Sequence, residues 1–234
     1  MEDLDLIFKE ELIKEKLIPF HSPERIRIID DYFTPSAVLF SIIPYEDKPY
    51  DLVLIHRTEK GTKHRGEMSF PGGKVDSQDK SMQDTALREC EEEIGVPRDK
   101  INILGCIHDF PTMTRYIITP FVGYIDKNQK LVKEDREVQE IVKVPIDFFF
   151  NKRNFREQAI DIGDKKFPIF YFNYKANGKK YTIWGATAYM IANFIEIVYS
   201  INLSKLKLRR FTVEEIVPLK DYIELRRKIL SKNK

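Results

Sequence analysis

The sequence has few of the residues that would mark a secreted or disulfide-stabilised protein. The 234 residues include two cysteines, Cys90 and Cys106, which cannot form a disulfide framework and belong to no metal-type CxxC pair. The opening stretch "MEDLDLIFKEELIKEKLI" is too charged for a signal peptide. These features predict a protein of the reducing cytoplasm.

A large excess of charge of either sign is also missing. The chain carries 39 Lys and Arg against 37 Asp and Glu, a net charge of +2, which gives no overall attraction for nucleic acid. We therefore expect no nucleic-acid partner. Hydrophobic residues are 42% of the chain, so the composition favours a packed core and argues against global disorder.

One long apolar run, Ile183–Leu203, raises the question of a membrane span. Its polar residues recur at intervals of three and four and define one helical stripe: Asn193, Glu196 and Ser200. The opposite stripe contains Met190, Phe194, Ile197 and Ile201. This pattern favours a buried amphipathic helix over a membrane span.

The predicted elements alternate in an order typical of an α+β fold with a mixed sheet rather than of repeated βαβ units. The predicted strands are 36–45, 50–58, 101–110, 116–125, a short one from 141, and a hairpin formed by 166–174 and 179–185. The predicted helices are 3–17, one starting near Ser81, 183–203 and 213–231. The helix that starts near Ser81 should end at Gly95, because glycine and then proline follow its last apolar position.

Three glutamates converge on this central helix. Glu89, Glu92 and Glu93 stand at i, i+3 and i+4, so their carboxylates share one face, where like charges repel. A divalent cation would offset the repulsion, and carboxylate oxygens are hard ligands suited to Mg²⁺ or Mn²⁺. The alternative is a solvated acidic helix face, which is the common meaning of a short glutamate run.

The residues around the glutamates favour the metal. Arg88 can pair with a carboxylate such as Asp79, and Gly72-Gly73 allows a tight turn and close approach to a ligand. Mg²⁺ shares its coordination readily with phosphate and water. The pattern therefore indicates metal-assisted attack of water on a phosphorus centre, with a carboxylate as base.

This stretch resembles the signature of the Nudix hydrolase family, G-x5-E-x7-R-E-U-x-E-E-x-G-U, where U is aliphatic. The chain has Gly73, then Asp79, then the run Arg88-Glu89-Cys90-Glu91-Glu92-Glu93-Ile94-Gly95-Val96. It departs in three ways: Asp79 replaces a glutamate, one extra residue precedes Arg88, and Cys90 fills an aliphatic position. The shorter arm of Asp79 leaves open whether it reaches Arg88.

The departures resemble the coenzyme A (CoA) diphosphatase branch of that family, which also has an upstream segment like R-S-x3-R-x3-G-x3-F-P-G-G. Here the matching positions are Arg57, Thr58, Gly66 and Phe70-Pro71-Gly72-Gly73, with Thr62 where an arginine is usual. The segments "TRYIITPFVGYI", "EDREVQEIVKVP" and "YTIWGATAYM" are also similar to that branch.

The resemblance implies a set of metal-site residues. Glu89, Glu92, Glu93 and the backbone of Gly73 would hold Mg²⁺ or Mn²⁺, and Arg88 would orient the site. Glu137 would be a ligand or the base that activates water, although it could equally be a surface residue at a strand start.

Further residues are candidates to bind the substrate. Arg57, His64 and Arg65 are candidates to bind the phosphates of CoA, or else are solvated loop charges. His108 and Tyr116 could line the cleft, but a core or hairpin role is favoured for both. Trp184 is predicted to be a core anchor, because aromatic side chains dominate such packing.

The prediction as a whole is an α+β Nudix fold, an α/β/α sandwich around a central mixed sheet. A helical extension (1–35) and a basic helical extension (204–234) would flank the catalytic domain (36–203). The expected reaction is cleavage of the pyrophosphate of CoA or its derivatives. The alternatives are the same chemistry on ADP-ribose, NADH or oxidised nucleoside triphosphates, and a non-enzymatic nucleotide-sensing or scaffold domain. We expect no membrane partner, and relatives suggest a homodimer.

Overall fold

The structure is a computed structural model that describes residues 4–58, 66–204, 206 and 212–232. Four α-helices are present in these ranges: α1 (Glu10–Lys16), α2 (Met82–Ile94), α3 (Gly185–Tyr199) and α4 (Ile216–Lys232). The strands are β1 (Thr34–Ile43), β2 (Asp51–Arg57), β3 (Met68–Ser69), β4 (Gly72–Lys74), β5 (Ile101–Cys106), β6 (Phe110–Pro111), β7 (Tyr116–Ile125), β8 (Val138–Pro145), β9 (Phe155–Ile162), β10 (Lys165–Ala176) and β11 (Lys179–Trp184).

Eight strands form a central mixed sheet, which confirms the predicted α+β architecture. The main order is β3-β2-β1-β7-β5, with β4 paired to β1, β6 to β7 and β8 to β2. Strands β1 and β7 run parallel, and the other described pairings in this sheet are antiparallel. The predicted strand positions in 36–58 and 101–125 are therefore confirmed.

Side chains of β1 alternate between two cores, as a two-residue period requires. Val38, Phe40 and Ile42 belong to the large core that contains α3. Leu39 and Ile43 belong to the smaller core formed with α2. The sheet is thus covered by helices on both faces, which confirms the predicted sandwich and explains why β1 is an almost uninterrupted apolar run.

A second, three-stranded antiparallel sheet has the order β11-β10-β9. The hairpin of β10 and β11 was predicted, and its two-residue turn is Asn177-Gly178, both with positive φ, as a tight hairpin turn needs. Strand β9 was missed, because its sequence "FREQAIDI" alternates weakly and it is fixed by its pairing with β10.

Helix α3 is buried on nearly all sides. Asn193, predicted to lie on a polar stripe, is instead buried, so the prediction of an amphipathic helix is wrong for this residue. The reason is that α3 packs between β10, β11 and α1 and has no wide solvent face. None of the helices in the described ranges is long and apolar enough to cross a membrane.

The N-terminal segment is less helical than predicted. Helix α1 begins at Glu10 and not at Asp3, since residues 4–9 are not helical and Asp5 accepts a hydrogen bond from the amide of Ile7. Ile13 and Leu17 still pack into the core with α3.

Residues 25–33 connect the N-terminal segment to the rest of the chain. The guanidinium of Arg25 lies 2.6 Å from the carboxylate of Asp109, with both side chains buried. Asp109 also accepts hydrogen bonds from the amide of Ile28 and the hydroxyl of Thr119. A separate apolar cluster packs this segment against α4; its members include Ile28, Phe33, Phe167, Ile216, Leu219 and Ile223. The division of the chain at residues 36 and 204 remains a proposal.

Candidate active site

Helix α2 places the acidic residues and has the ends that its sequence predicts. The hydroxyl of Ser81 accepts a hydrogen bond from the amide of Asp84 and caps the start, while Gly95 ends the helix with φ of 69°. Ala86, Cys90 and Ile94 are buried against the sheet. The opposite edge of the helix, which carries Glu89 and Glu92, faces the turn of β4.

Arg88 is the centre of the polar network on this helix. Its Nε and Nη2 donate to the two carboxylate oxygens of Asp79 at 2.8 and 3.0 Å, and Nη2 also donates to the carbonyl of Lys74 at 3.0 Å. The shorter side chain therefore reaches Arg88 despite the extra residue. Hydrogen bonding from Arg88, more than any other cause, holds the pKa of the buried Asp79 carboxyl well below its usual range.

The remaining nitrogen of Arg88 is shared by two glutamates. Nη1 donates to Glu89 at 2.9 Å and to Glu92 at 3.0 Å. Since Asp79 and Lys74 fix the other side of the guanidinium, the arrangement holds both carboxylates in place. Glu92 is exposed, whereas Glu89 is largely buried, and burial raises the pKa of Glu89 although Arg88 opposes the shift.

A side chain at Gly73 would displace the Glu89 carboxylate, which lies directly over it. A Cβ atom at Gly73 would lie 2.3 Å from Oε1 of Glu89, well inside contact distance. The close approach brings the Gly73 backbone beside a carboxylate, as the glycine turn predicted.

Glu93 is the most buried of the three glutamates, with 3% of its surface exposed. Its Oε2 accepts a hydrogen bond from the amide of Gly72 at 2.8 Å, and its Oε1 accepts one from Nη1 of Arg57 at 2.7 Å. Burial raises the pKa of Glu93 to about 7, against the opposing effects of Arg57 and the Gly72 amide. Glu93 thus lies behind the cleft wall that Glu89 and Glu92 line.

Arg57 joins the acidic helix to the start of β8. Its Nη2 donates to Glu137 at 2.9 Å while Nη1 holds Glu93. In this arrangement the guanidinium pairs with carboxylates, and a role in binding substrate phosphate stays a prediction. The other two predicted phosphate ligands, His64 and Arg65, lie outside the described residues.

The carboxylates of this site are chemically suited to bind a hard divalent cation, but in this structure they form ion pairs with arginines. Across the described ranges, no group of three or more Asp, Glu, His or Cys side chains converges closely enough to hold a metal ion. Glu89, Glu92 and Glu137 nevertheless line one cleft together with Gly73. Carboxylate and backbone oxygens are the donors that Mg²⁺ and Mn²⁺ prefer, so this donor set fits such an ion once the arginine pairs rearrange.

The cleft has a volume of about 1040 Å³ and two chemically different kinds of lining. The acidic lining is formed by the residues described above. The other lining is apolar and aromatic and includes Phe110, Met113, Tyr116, Ile118, Phe167, Ile169, Trp184 and Tyr189. A cavity of this size is at the upper end of the range for small-molecule sites.

One of the aromatic predictions is wrong. Trp184 is not a core anchor, since 42% of its surface is exposed and it lines the cleft. Tyr116 has the hairpin role that was favoured for it, because it begins β7 after the turn from β6 and its amide donates a hydrogen bond to the hydroxyl of Thr112; it also lines the cleft. His108 has the structural role that was favoured for it, because its Nδ1 accepts a hydrogen bond from the amide of Ile26. Sequence reasoning missed the apolar and aromatic lining of the cleft because its members come from segments far apart in sequence. The one local signal was Trp184 at the end of a strand.

Comparison with known proteins agrees with this geometry. The model of the NUDIX domain matches residues 35–162. Nudix hydrolase 15, mitochondrial, of Arabidopsis thaliana is 31% identical over 72% of this chain and 61% of its own length. Nudix hydrolase 22, chloroplastic, of the same plant is 29% identical over 70% of this chain and 55% of its own length. The chain therefore spans less than two thirds of the length of these plant relatives.

A bacterial relative is matched over more of its length. The uncharacterized Nudix hydrolase NudL of Photorhabdus laumondii is 32% identical over 67% of this chain and 80% of its own length. The family match covers more than half of the chain and contains the whole acidic network of α2. With its mixed sheet and the signature from Gly73 to Val96, this chain belongs to the Nudix hydrolase family.

Proposed function

We propose that this protein is a divalent-metal-dependent hydrolase that cleaves the pyrophosphate bond of CoA or its derivatives. The products would be adenosine 3′,5′-bisphosphate and a 4′-phosphopantetheine compound. The observation that carries the proposal is the cleft itself, which is lined by Glu89, Glu92, Glu137 and Gly73 and also by apolar and aromatic side chains. A diphosphate that joins two large groups needs a cavity of this kind.

Nudix hydrolases generally use divalent metals such as Mg²⁺ or Mn²⁺, and here Glu89, Glu92, Glu93 and the Gly73 carbonyl would hold the ion. When bound, the cation would neutralise charge on the diphosphate and lower the pKa of the attacking water.

The protein's own groups perform the remaining tasks. Arg88 keeps Glu89 and Glu92 oriented through its bonds to both, and Asp79 keeps Arg88 in place. Glu137 is exposed at the cleft wall and would act as the base that accepts the proton of the attacking water. For Glu93 to reach a cation, Arg57 must turn away from it.

A substrate panel with Mg²⁺ and with Mn²⁺ tests the proposal. CoA, a CoA thioester, ADP-ribose, NADH and an oxidised nucleoside triphosphate would be incubated with the protein, and the products would be separated by chromatography. Fastest turnover of CoA or its thioester, with adenosine 3′,5′-bisphosphate as a product, is the expected result. If only the other nucleotides were hydrolysed, CoA would be rejected as the substrate and the hydrolysed nucleotide would take its place. Tight binding without any product would support a nucleotide-sensing domain, against which the presence of all three glutamates argues.

Location and assembly are proposals of the same kind. A cytoplasmic protein agrees with the two buried thiols, and a homodimer is the assembly expected from relatives. Size-exclusion chromatography with light scattering would give the assembly state directly.

A further inference from the structure

Trp184 is the one tryptophan of the chain and lies where the cleft meets solvent. It is the last residue of β11, which is an edge strand of the three-stranded sheet, and α3 starts directly after it. A tryptophan that only stabilised the core would be expected to be buried. Instead Trp184 is 42% exposed and lines the cleft of the candidate active site.

Two residues on the neighbouring strands continue a row of side chains that begins at Trp184. Trp184 pairs with Tyr171 on β10, and Tyr171 pairs with Arg156 on β9. The rings of Trp184 and Tyr171 are nearly parallel, with 7° between their planes and 6.2 Å between their centres. The guanidinium of Arg156 lies 4.3 Å from the centre of the Tyr171 ring. We call these three residues the aromatic ladder.

The aromatic ladder also has a structural role, which does not account for its position. A cross-strand aromatic pair stabilises a hairpin wherever on the sheet it lies. The pair here stands at the end of β11 that opens on the cleft, and the indole is left exposed there. An exposed aromatic plane in a nucleotide-sized cavity is suited to stacking with another flat ring.

We propose that Trp184 is the stacking site for the purine base of the nucleotide substrate. The base would add a further plane to the aromatic ladder on the cleft side of the indole. Strand β11 packs beside β3, and β3 leads through Phe70-Pro71 into Gly72-Gly73. In this arrangement the base of one nucleotide would contact the indole while its diphosphate lies beside the glutamates that line the same cleft. This assignment rests on the proposed function, since it places the nucleoside half of that substrate in the same cleft.

The fluorescence of the single tryptophan gives a direct test that does not depend on catalysis. The full chain, with Mg²⁺ present, would be titrated with adenosine 3′,5′-bisphosphate while the tryptophan is excited where adenine does not absorb. Saturable quenching is the expected result. Ribose 5-phosphate, which has a phosphate and no base, should leave the emission unchanged. Quenching by 4′-phosphopantetheine alone, equal responses to both phosphates, or no response to the bisphosphate would overturn the proposal.

Two variants test the same point by calorimetry. Trp184→Leu keeps apolar bulk but lacks the flat ring, and we expect it to bind the bisphosphate at least about tenfold more weakly, within the range for loss of one base–aromatic stack. Trp184→Phe keeps a ring and should retain most of the affinity. Equal weakening in both variants, with thermal unfolding unchanged, would contradict stacking.

The hydrolysis assay separates this proposal from the proposed function. If the protein cleaves CoA but the bisphosphate does not quench its tryptophan fluorescence, the proposed function is supported and the stacking site is refuted. If the bisphosphate quenches the fluorescence but no diphosphate is cleaved, the stacking site is supported and the proposed function is refuted.

Discussion

Arg57 lies between Glu93 and Glu137 and binds both, at 2.7 and 2.9 Å. The two carboxylates come from α2 and from the residue before β8, so a single guanidinium joins the acidic helix to the opposite wall of the cleft. It stands where a cation that binds the same carboxylates would compete with it. Arg57 is therefore a counter-charge for the metal-free protein as well as a candidate phosphate ligand.

Replacement of Arg57 should make stability depend on metal. In Arg57→Ala, the buried Glu93 loses its arginine partner and, among the described residues, keeps the Gly72 amide; breaking such a pair should lower the free energy of unfolding by about 3 kcal/mol. Mn²⁺ should restore much of the loss, because the cation can replace the lost positive charge. Urea unfolding with a chelator and with Mn²⁺ measures both effects.

Arg98→Ala is the matched control for that experiment. Arg98 is partly exposed and pairs with Asp84 and Glu91, which lie on α2 away from the cleft lining. Its loss should cost less than about 1 kcal/mol and be indifferent to Mn²⁺. If Arg57→Ala were equally destabilised with and without the ion, the competition between Arg57 and metal would be refuted.

Glu92 and Glu91 are neighbours on α2 that should differ sharply in catalysis. Glu92 lines the cleft and accepts a hydrogen bond from Arg88, so Glu92→Gln should lower kcat about a hundredfold, the scale for loss of one catalytic charge. Glu91 pairs with Arg98 instead, and Glu91→Gln should keep nearly normal kcat. Steady-state kinetics on the best substrate decides the matter, and near-normal turnover by Glu92→Gln would count against the site.

Because of Asp79, the stability of the protein should vary with pH in the acid range. Because Arg88 lowers its pKa in the folded protein, the contribution of Asp79 is complete above the unfolded pKa of about 4, shrinks below that value and is lost as the pH falls through the much lower folded pKa. Asp79→Asn should therefore be clearly less stable than the wild type at about pH 7, and the difference should be smaller at about pH 3. Urea unfolding at both pH values gives the comparison.

The exposed Asp99 provides the control for acid unfolding. Its carboxylate lies 3.4 Å from Lys100 at the surface, and Asp99→Asn should change stability little at either pH. A gap between wild type and Asp79→Asn that stayed constant from neutral to acid pH would contradict the role of the Asp79–Arg88 pair.

The buried pair of Arg25 and Asp109 should fix the N-terminal segment. Their side chains are 1% and 5% exposed, so Asp109→Ala leaves a buried charge without its partner and should cost about 3–5 kcal/mol in urea unfolding. The exposed pair of Asp5 and Lys9 is the contrast, and Asp5→Ala should stay within about 0.5 kcal/mol of wild type. Similar losses of unfolding free energy in the two variants would mean that the buried pair stabilises the protein no more than the exposed pair does.

The acidic helix could be predicted from sequence because its signals are local. Ser81 and Gly95 fix its ends by hydrogen bonding and backbone conformation within a few residues, and the glutamate spacing fixes the shared face. The reach of Asp79 to Arg88 was left open by the sequence and was decided by the loop that leads into the helix. The pairing of Arg57 with Glu137 depends on the register of β2 with β8, which no local pattern contains.

The aromatic half of the cleft could not be predicted for the same reason. Trp184 is exposed because it alternates with Tyr181 and Ile183 on β11, whose side chains are buried in the core. Asn193 is buried because α1, β10 and β11 surround α3. Both outcomes depend on how distant segments pack. Propensity and periodicity describe a segment in isolation, and they indicated only that these residues belong to a strand end and a helix.

The family match ends at residue 162, which is also the last residue of β9. The part of the chain after that point supplies β10, β11 and α3, and so the cover of one sheet face together with Trp184 at the cleft. The rest of the apolar lining, such as Phe110 and Tyr116, and the three glutamates of the cleft lie within the matched range. Under the proposed function, substitutions after residue 162 would alter part of the surface that contacts the substrate without changing the acidic residues proposed for catalysis. Enzymes of one reaction type could diverge in the molecules they cleave by this route.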